Sequence, residues 1–189
     1  LNGGDGADSL TGGSGDDTYV FNTNDVDAGE SITEASSGGT DIISVLTTTD
    51  FANMSANSFD EIEQILFSGA NQTATFTSLQ LTGETIALNE TATGTSNLVI
   101  KMGSGETASF STITAGTFAS GSDTFTINGS TGNETITGPN VASTIFGNNG
   151  NDNLTGGTTN DILNGGDGAD TLNGGDGADS LTGGSGDDT

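Results

Sequence analysis

Aspartate recurs every ninth residue near the end of the chain, always in the same glycine-rich setting. From Gly147 the sequence reads GNNGNDNLT, GGTTNDILN, GGDGADTLN, GGDGADSLT and GGSGDDT, and each unit fits the frame G-G-x-G-x-D-x-U-x, where U is a large apolar residue. The same frame occurs at Gly3 and at Gly12. The carboxylates, with the backbone carbonyls that glycine leaves uncovered, supply oxygen ligands, which hard cations such as calcium prefer.

The composition narrows the possible partners and activities. The chain has 26 acidic residues against one base, Lys101, and a net charge of −25, which argues against nucleic acid and anionic membrane surfaces as partners. It has no His or Cys, so the usual general bases, nucleophiles and thiolate metal ligands are missing. Glu61 and Glu63 lie two apart on a predicted strand, which is more typical of a solvated face than of a glycosidase pair. We therefore expect no enzyme activity, and we expect no membrane insertion because no apolar run is long enough to span a bilayer.

Each nonapeptide divides into a six-residue turn and a three-residue strand. The turn needs glycine because it requires positive φ and a close approach of backbones. On the strand, U points inward and its neighbours point outward. Two nonapeptides complete one coil, so turns k and k+2 stack roughly 4.8 Å apart on one edge. A calcium ion between two stacked turns would take a carboxylate from each, and a fixed period of this kind predicts a solenoid.

The apolar phase extends beyond the glycine frame. Units 129–137 and 138–146 keep the nine-residue spacing but lose glycines or the acid, so we expect altered calcium sites there. Three segments follow from this: residues 1–21 are a β-roll that ends a preceding block, residues 22–117 are β-rich, and residues 118–189 are a β-roll. The residues in the single apolar phase are Phe118, Ile127, Ile136, Ile145, Leu154, Leu163, Leu172 and Leu181.

The middle segment consists of short β-prone runs at spacings of roughly ten residues, which suit either a sandwich or a stacked parallel solenoid. We favour the solenoid because the next segment continues it without a break. The predicted fold class is all-β, a right-handed parallel β-roll or β-solenoid. The runs are 41–46, 62–67, 73–81, 84–88, 97–101, 108–113 and 116–118, and 51–58 is expected to be a short helical turn or a loop.

Residues 1–18 are identical to residues 172–189. Chance identity over a stretch of this length is negligible. We therefore expect a larger protein that contains tandem copies of a 171-residue unit.

The nonapeptides resemble those of bacterial RTX (repeats-in-toxin) proteins, which form calcium-loaded parallel β-rolls. A weaker resemblance covers GGSGDDTYVF (12–21), SITEASSGGTDIISV (31–45) and the linking strand at 61–69. The unit at 156–164 departs from the pattern, with Thr159 in place of the glycine at the fourth motif position. The resemblance implies calcium ligation through these aspartates: Asp8, Asp17, Asp152, Asp161, Asp170, Asp179 and Asp188. The implied glycines of the binding turns are Gly147, Gly150, Gly156, Gly165, Gly166, Gly168, Gly174, Gly175 and Gly177.

The k, k+2 rule pairs the aspartates across coils. It gives Asp152 with Asp170, Asp161 with Asp179 and Asp170 with Asp188, and Glu134 with Asp152 as a weaker pair. Asp8 and Asp17 lie on opposite edges, so we expect their partners to come from a preceding copy. Aspartates at the third motif position, such as Asp167, are expected to be solvated.

The resemblance and the tandem copies together predict a calcium-binding structural unit of an extracellular protein, such as a surface layer, a sheath, a filament or an adhesin stalk. The resemblance implies type I secretion, with folding on calcium outside the cell, and neighbouring copies are the expected partners, possibly as a homopolymer. Two alternatives stay open: an ice- or polysaccharide-binding module, because threonines alternate at Thr73, Thr75 and Thr77, and an accessory module of a secreted RTX enzyme.

Overall fold

A computed structural model describes residues 1–36, 38–91, 93–118 and 122–189. The chain forms a β-solenoid of about 8 turns. A 3-10 helix covers Ala56–Phe59 and an α-helix, α1, covers Ser78–Leu81. The strands are β1 (Ser9–Thr11), β2 (Thr18–Phe21), β3 (Ser31–Thr33), β4 (Ile42–Val45), β5 (Thr49–Asp50), β6 (Gln64–Phe67), β7 (Thr73–Thr77), β8 (Ala87–Glu90), β9 (Asn97–Lys101), β10 (Thr107–Ser109), β11 (Thr114–Ala115), β12 (Thr124–Asn128), β13 (Thr135–Thr137), β14 (Ser143–Asn149), β15 (Asn153–Thr155), β16 (Ile162–Asp167), β17 (Thr171–Asn173) and β18 (Ser180–Ser185).

The strands stack into parallel sheets in which neighbours are one coil apart. The largest sheet has the order β18-β16-β14-β12-β9-β7-β5, and two others have the orders β11-β8-β6-β4-β2 and β10-β13-β15-β17. β1 pairs with β3 in a short sheet of its own. Because the ladders between these strands are parallel, the structure confirms the solenoid over the sandwich, which is built from antiparallel sheets.

Coil length separates the repeats from the middle of the chain. In the repeats, paired strand residues lie two nonapeptides apart in the sequence, as for Ile136 and Leu154. Coils in the rest of the chain are longer, since Ser9 pairs with Ser31 and Thr107 pairs with Thr135. The first step of repeat length in the largest sheet joins β12 to β14. Within the predicted segments, residues 37, 92 and 119–121 lie outside the described residues, and the division into three segments stays a prediction.

The predicted runs match the strands unevenly. The run 97–101 coincides with β9. The run 73–81 divides, because β7 ends at Thr77 and α1 follows, with the Gln80 side chain accepting a hydrogen bond from the Thr77 N–H at 2.8 Å. The prediction of a strand at 116–118 is wrong. The strand there is Thr114–Ala115, and Phe118 is buried because it packs on Phe67 with ring centroids 5.7 Å apart.

One hydrophobic core runs along the solenoid axis. Wide middle coils are filled by aromatic side chains, and Phe51 stacks on Phe76 with ring centroids 4.7 Å apart. The narrower repeat coils are filled by single aliphatic residues in the predicted phase, which is buried from Ile127 to Leu163. Leu172 is only partly buried and Leu181 is 47% exposed, because β18 is the last strand of its sheet.

Candidate metal centre

A ladder of hydrogen bonds links the motif aspartates of successive coils. The Asp152 N–H donates to Oδ1 of Asp170 at 2.7 Å, and the Asp170 N–H donates to Oδ1 of Asp188 at 3.0 Å. On the other edge the Asp161 N–H donates to Oδ1 of Asp179 at 2.9 Å. Each bond joins residues two nonapeptides apart. The structure therefore brings together the three aspartate pairs that the sequence predicts.

The second carboxylate oxygen of Asp152 and of Asp170 has no hydrogen-bond partner in the part of the chain that the structure describes. These residues are 2% and 1% exposed, and Oδ2 of each is buried. Burial raises the pKa of Asp152, and the charges of Glu134 and Asp170 raise it further. A buried oxygen without a partner carries the full cost of its lost hydration. A hard cation bound to these oxygens would remove that cost, so the donor set fits calcium.

The predicted glycines line the space between stacked turns, and they fall into two groups according to what an added Cβ would contact. An added Cβ at Gly147 or at Gly165 would meet Oδ2 of the aspartate in the same motif and a carbonyl oxygen of the next coil. At Gly168, φ is +142° and an added Cβ would meet the carbonyl oxygen of Gly150, one coil earlier. A side chain at either kind of position would fill the space between stacked turns. Gly156 and Gly174 are of the first kind, meeting the carboxylate of their own motif, and Gly150, Gly166, Gly175 and Gly177 are of the second.

Two motif carboxylates already have donors on both oxygens. Asp161 accepts from the backbone and hydroxyl of Ser143 through Oδ1 and from the Gly157 N–H through Oδ2 at 2.8 Å. Glu134 accepts from the Gly105 N–H through Oε1 and from the Ser130 N–H through Oε2. These carboxylates therefore offer less to a cation than Asp152 and Asp170. In the unit of Asp161, Thr159 replaces the glycine at the fourth motif position, and its φ is not positive.

Aspartates at the third motif position are exposed, as predicted for Asp167. Asp179 and Asp188 are half-buried in the last coils of the chain. They accept the ladder bonds described above but have no coil beyond them to cover their outer side.

Within this chain, the partners of Asp8 and Asp17 lie in the following coil, and the expected partners from a preceding copy stay a prediction. The Asp8 N–H donates to Oε2 of Glu30 at 3.0 Å, and the Asp17 N–H donates to Oδ1 of Asp41 at 2.9 Å. The reason is that β1 pairs with β3 and β2 pairs with β4. Sequence reasoning missed Glu30 and Asp41 because they lack the glycine frame. One sequence feature could have indicated them. Glu30 lies two residues before the buried Ile32, and Asp41 lies two residues before the buried Ile43, which is the D-x-U spacing of the motif.

Asp17 also belongs to a group of three carboxylates. Ligand oxygens of Asp17, Glu34 and Asp41 lie within 4.8 Å of one another. Glu34 accepts from the Gly13 N–H at 3.1 Å and from the Tyr19 hydroxyl. Burial raises the pKa of Tyr19, and the hydrogen bond to Glu34 raises it further, so this hydroxyl stays a donor. Glu34 is a further candidate site residue that the sequence did not indicate.

A family model for the RTX calcium-binding nonapeptide repeat matches residues 1–23, 128–163 and 155–189, with four copies. Residues 1–23 and 128–189 therefore carry RTX calcium-binding nonapeptide repeats. RTX nonapeptide repeats bind Ca²⁺, which agrees with the buried oxygens of Asp152 and Asp170. The RTX matches include every predicted ligand, whereas Glu30, Glu34 and Asp41 lie outside them. Comparisons with the curated proteins and with the solved structures found no match.

The helices of the described residues are too short to be candidate membrane spans. The α-helix has four residues, and no helix among the described residues combines the length and the apolar character that a span requires.

Proposed function

We propose that this chain is a calcium-dependent structural unit of an extracellular protein, such as a surface layer, a sheath, a filament or an adhesin stalk. The observation that carries the proposal is the Asp152–Asp170 pair, whose buried Oδ2 atoms have no hydrogen-bond partner among the described residues. In this proposal the predicted aspartates and glycines of segments 1–21 and 118–189 hold the ions. The chain is a scaffold and has no catalytic role.

Calcium controls folding in this proposal. An ion that binds only the folded state stabilises it by mass action, by about 2.7 kcal/mol when its concentration is a hundred times Kd. Without the ion, stacked carboxylates and a net charge of −25 oppose the folded roll. RTX repeat proteins are typically secreted. A calcium-poor cytosol therefore keeps the repeats unfolded for type I export, and extracellular calcium folds them.

Neighbouring copies are the proposed partners, and the identical ends of the chain support this. The Leu1 amine donates to the Thr18 carbonyl, and the Leu172 N–H donates to the Thr189 carbonyl at 2.8 Å, so the same sequence closes the same coil twice. Leu10 is 9% exposed beneath β3, whereas the equivalent Leu181 is 47% exposed. A following copy would cover Leu181 as β3 covers Leu10.

The ladder would also continue through such a junction. Asp179 accepts from the Asp161 N–H, and the equivalent Asp8 donates its N–H to Glu30. Superposing the two identical stretches therefore gives one unbroken series of carboxylates from Asp161 to Glu30. The same holds on the other edge for Asp188 and the equivalent Asp17.

Replacement of Asp170 by Asn tests calcium-linked folding. The carboxylate of Asp170 accepts the ladder bond from Asp152 and carries a free buried oxygen. We expect D170N to lose calcium equivalents in calorimetric titration and most of the calcium-induced rise in Tm. D167N is the matched control, since Asp167 is in the same nonapeptide but exposed. Equal calcium binding and equal stability with calcium and with chelator, for wild type and D170N alike, would refute the proposal.

The threonine face of β7 gives the ice- or polysaccharide-binding alternative no support of its own. Thr73, Thr75 and Thr77 do share one face of β7. The neighbouring strand β9 places Asn97, Val99 and Lys101 directly beside them. These residues interrupt the threonine rows before β12, so the sheet offers no continuous threonine array.

A further inference from the structure

Carboxylate oxygens dominate the buried polar atoms that lack a partner. Among the described residues, six buried side-chain oxygens or nitrogens have no hydrogen bond. Two of them belong to Gln72 and Thr159. The other four are Oδ2 of Asp152, Oδ2 of Asp170, Oδ2 of Asp8 and Oε1 of Glu30. The last two form a pair far from the first two, and Glu30 lies outside the nonapeptide repeats.

The Asp8–Glu30 step has the same hydrogen bonds as the Asp152–Asp170 step. In the RTX pair, the Asp152 N–H donates to one oxygen of Asp170, and the Asp152 carbonyl accepts from Thr171, the residue after Asp170. In the first coil, the Asp8 N–H donates to one oxygen of Glu30, and the Asp8 carbonyl accepts from Ser31, the residue after Glu30, at 3.0 Å. In both steps, each of the two carboxylates keeps one buried oxygen to which none of the described residues forms a hydrogen bond.

The turn before Asp8 is also built like the turns of the RTX pair. An added Cβ at Gly3 would lie 2.5 Å from Oδ2 of Asp8, as Gly147 and Gly165 are placed against their own aspartates. Gly4 and Gly6 have φ of +84° and +108°. Glu30 supplies the second carboxylate from a longer coil that has no glycine frame. The long side chain of Glu30 reaches the place that Asp occupies in a nonapeptide.

Nothing in the described protein neutralises these buried oxygens. Glu30 is 1% exposed, and the charges of Asp8, Asp25 and Asp27 act on it. The single base of the chain, Lys101, pairs with Asp50 at 3.0 Å. Outside the two pairs, the ladder carboxylates of the described residues have no buried oxygen that lacks a hydrogen-bond donor. Glu63, for example, accepts from the Asp41 N–H at 2.7 Å and has no buried oxygen without a partner.

We propose that Asp8 and Glu30 bind a further calcium ion, outside the nonapeptide consensus, at the junction between the first coil and the segment that follows it. The site rests on the proposed calcium-binding function and extends it to a glutamate of a non-repeat coil. Its role is to fasten β3 onto β1, which share only a two-stranded sheet. The calcium ladder therefore does not stop where the repeat sequence stops.

Calcium stoichiometry of the whole chain tests the site. Calorimetric titration of decalcified protein with calcium chloride should show E30Q and D8N each binding one equivalent less than wild type. The double variant should lose no more than either single variant, because both carboxylates serve one ion. E63Q is the matched control: it changes a glutamate that makes the same kind of ladder bond, and it should bind as much calcium as wild type.

Thermal unfolding separates a ligand from a merely structural residue. In chelator, E30Q should unfold at the same temperature as wild type or higher, because it no longer buries an uncompensated charge. In calcium, its Tm should rise less than that of wild type. Unchanged stoichiometry in E30Q and D8N, an equal loss in E63Q, or an equal fall of Tm with and without calcium would overturn the site. If D170N loses calcium while E30Q and D8N do not, this site fails alone. If D170N loses none, the proposed function fails as well.

Discussion

At the residue scale, the second oxygen of each motif carboxylate distinguishes strong from weak candidate ligands. Five carboxylates of the repeat coils accept a backbone N–H with one oxygen, so that bond alone does not mark a site; they are Asp152, Asp161, Asp170, Asp179 and Asp188. Asp152 and Asp170 keep the other oxygen buried and unbonded, whereas Asp161 gives it to the Gly157 N–H. The unbonded oxygen lowers the stability of the ion-free roll, because it is buried without a hydrogen bond. The same oxygen raises the stability of the ion-loaded roll, because it is free to bind the cation.

The pH dependence of ion-free stability follows from the raised pKa of Asp152 and Glu30. Burial raises the pKa of both carboxyls, and neighbouring acids raise it further. Between the ordinary carboxyl pKa of about 4 and the raised value in the fold, the folded state binds more protons than the unfolded state. The unfolding free energy in chelator should therefore be highest below that window and fall as pH rises through it.

Urea unfolding in chelator over a pH series measures this dependence. D152N should flatten the slope, and D167N should leave it unchanged because Asp167 is exposed. With saturating calcium the slope should reverse, since protons compete with the ion for the same oxygens. Ion-free stability that rises with pH across the window would contradict the prediction.

At the scale of elements, the strand of each nonapeptide depends on one inward aliphatic residue. Ile145 in β14 is fully buried, while Ile162 in the neighbouring β16 points outward and is 52% exposed. I145A should lower the unfolding free energy in calcium by about 2–5 kcal/mol, because it leaves a cavity on the solenoid axis. I162A, the same chemical change one coil away, should cost much less. Equal losses in urea unfolding would show that the nine-residue phase does not define the core.

The nine-residue phase made the repeat coils predictable, because sequence period and coil geometry coincide there. Ile136, Ile145 and Leu154 could be placed inside the solenoid from spacing alone, and the k, k+2 pairing of Asp152 with Asp170 followed from it. The first coils could not be predicted in this way. Their lengths differ from one coil to the next, so no period brings Glu30 beside Asp8 or Asp41 beside Asp17. Only strand pairing fixes that register.

At the scale of the whole molecule, the middle coils and the repeat coils of the solenoid are stabilised by different interactions. The middle coils are wide and filled by aromatic side chains, including Phe51, Phe59 and Phe76, which pack edge-on or stacked. The repeat coils are narrow, carry one aliphatic residue per strand and hold buried carboxylates at the edges. In the proposed function, calcium is needed mainly by the repeat coils. The identical ends would then allow a calcium-held stretch of one copy to lie between the aromatic cores of two copies.

A chain in which a second copy continues from Thr189 tests this arrangement. The coil formed by residues 172–189 should gain a covering coil, so its amides should exchange more slowly in calcium than in the single unit. Leu181 should then be protected as Leu10 is in the first coil.

A short glycine–serine insertion after Thr189 is the control, because it shifts the nine-residue phase and separates Asp179 and Asp188 from their next partners. Equal exchange in the continuous chain, the interrupted chain and the single unit would mean that copies do not extend the roll. Slow exchange in the continuous chain alone, lost on adding chelator, is the expected result, because the proposed junction would be held by the same carboxylate ladder as the coils on either side.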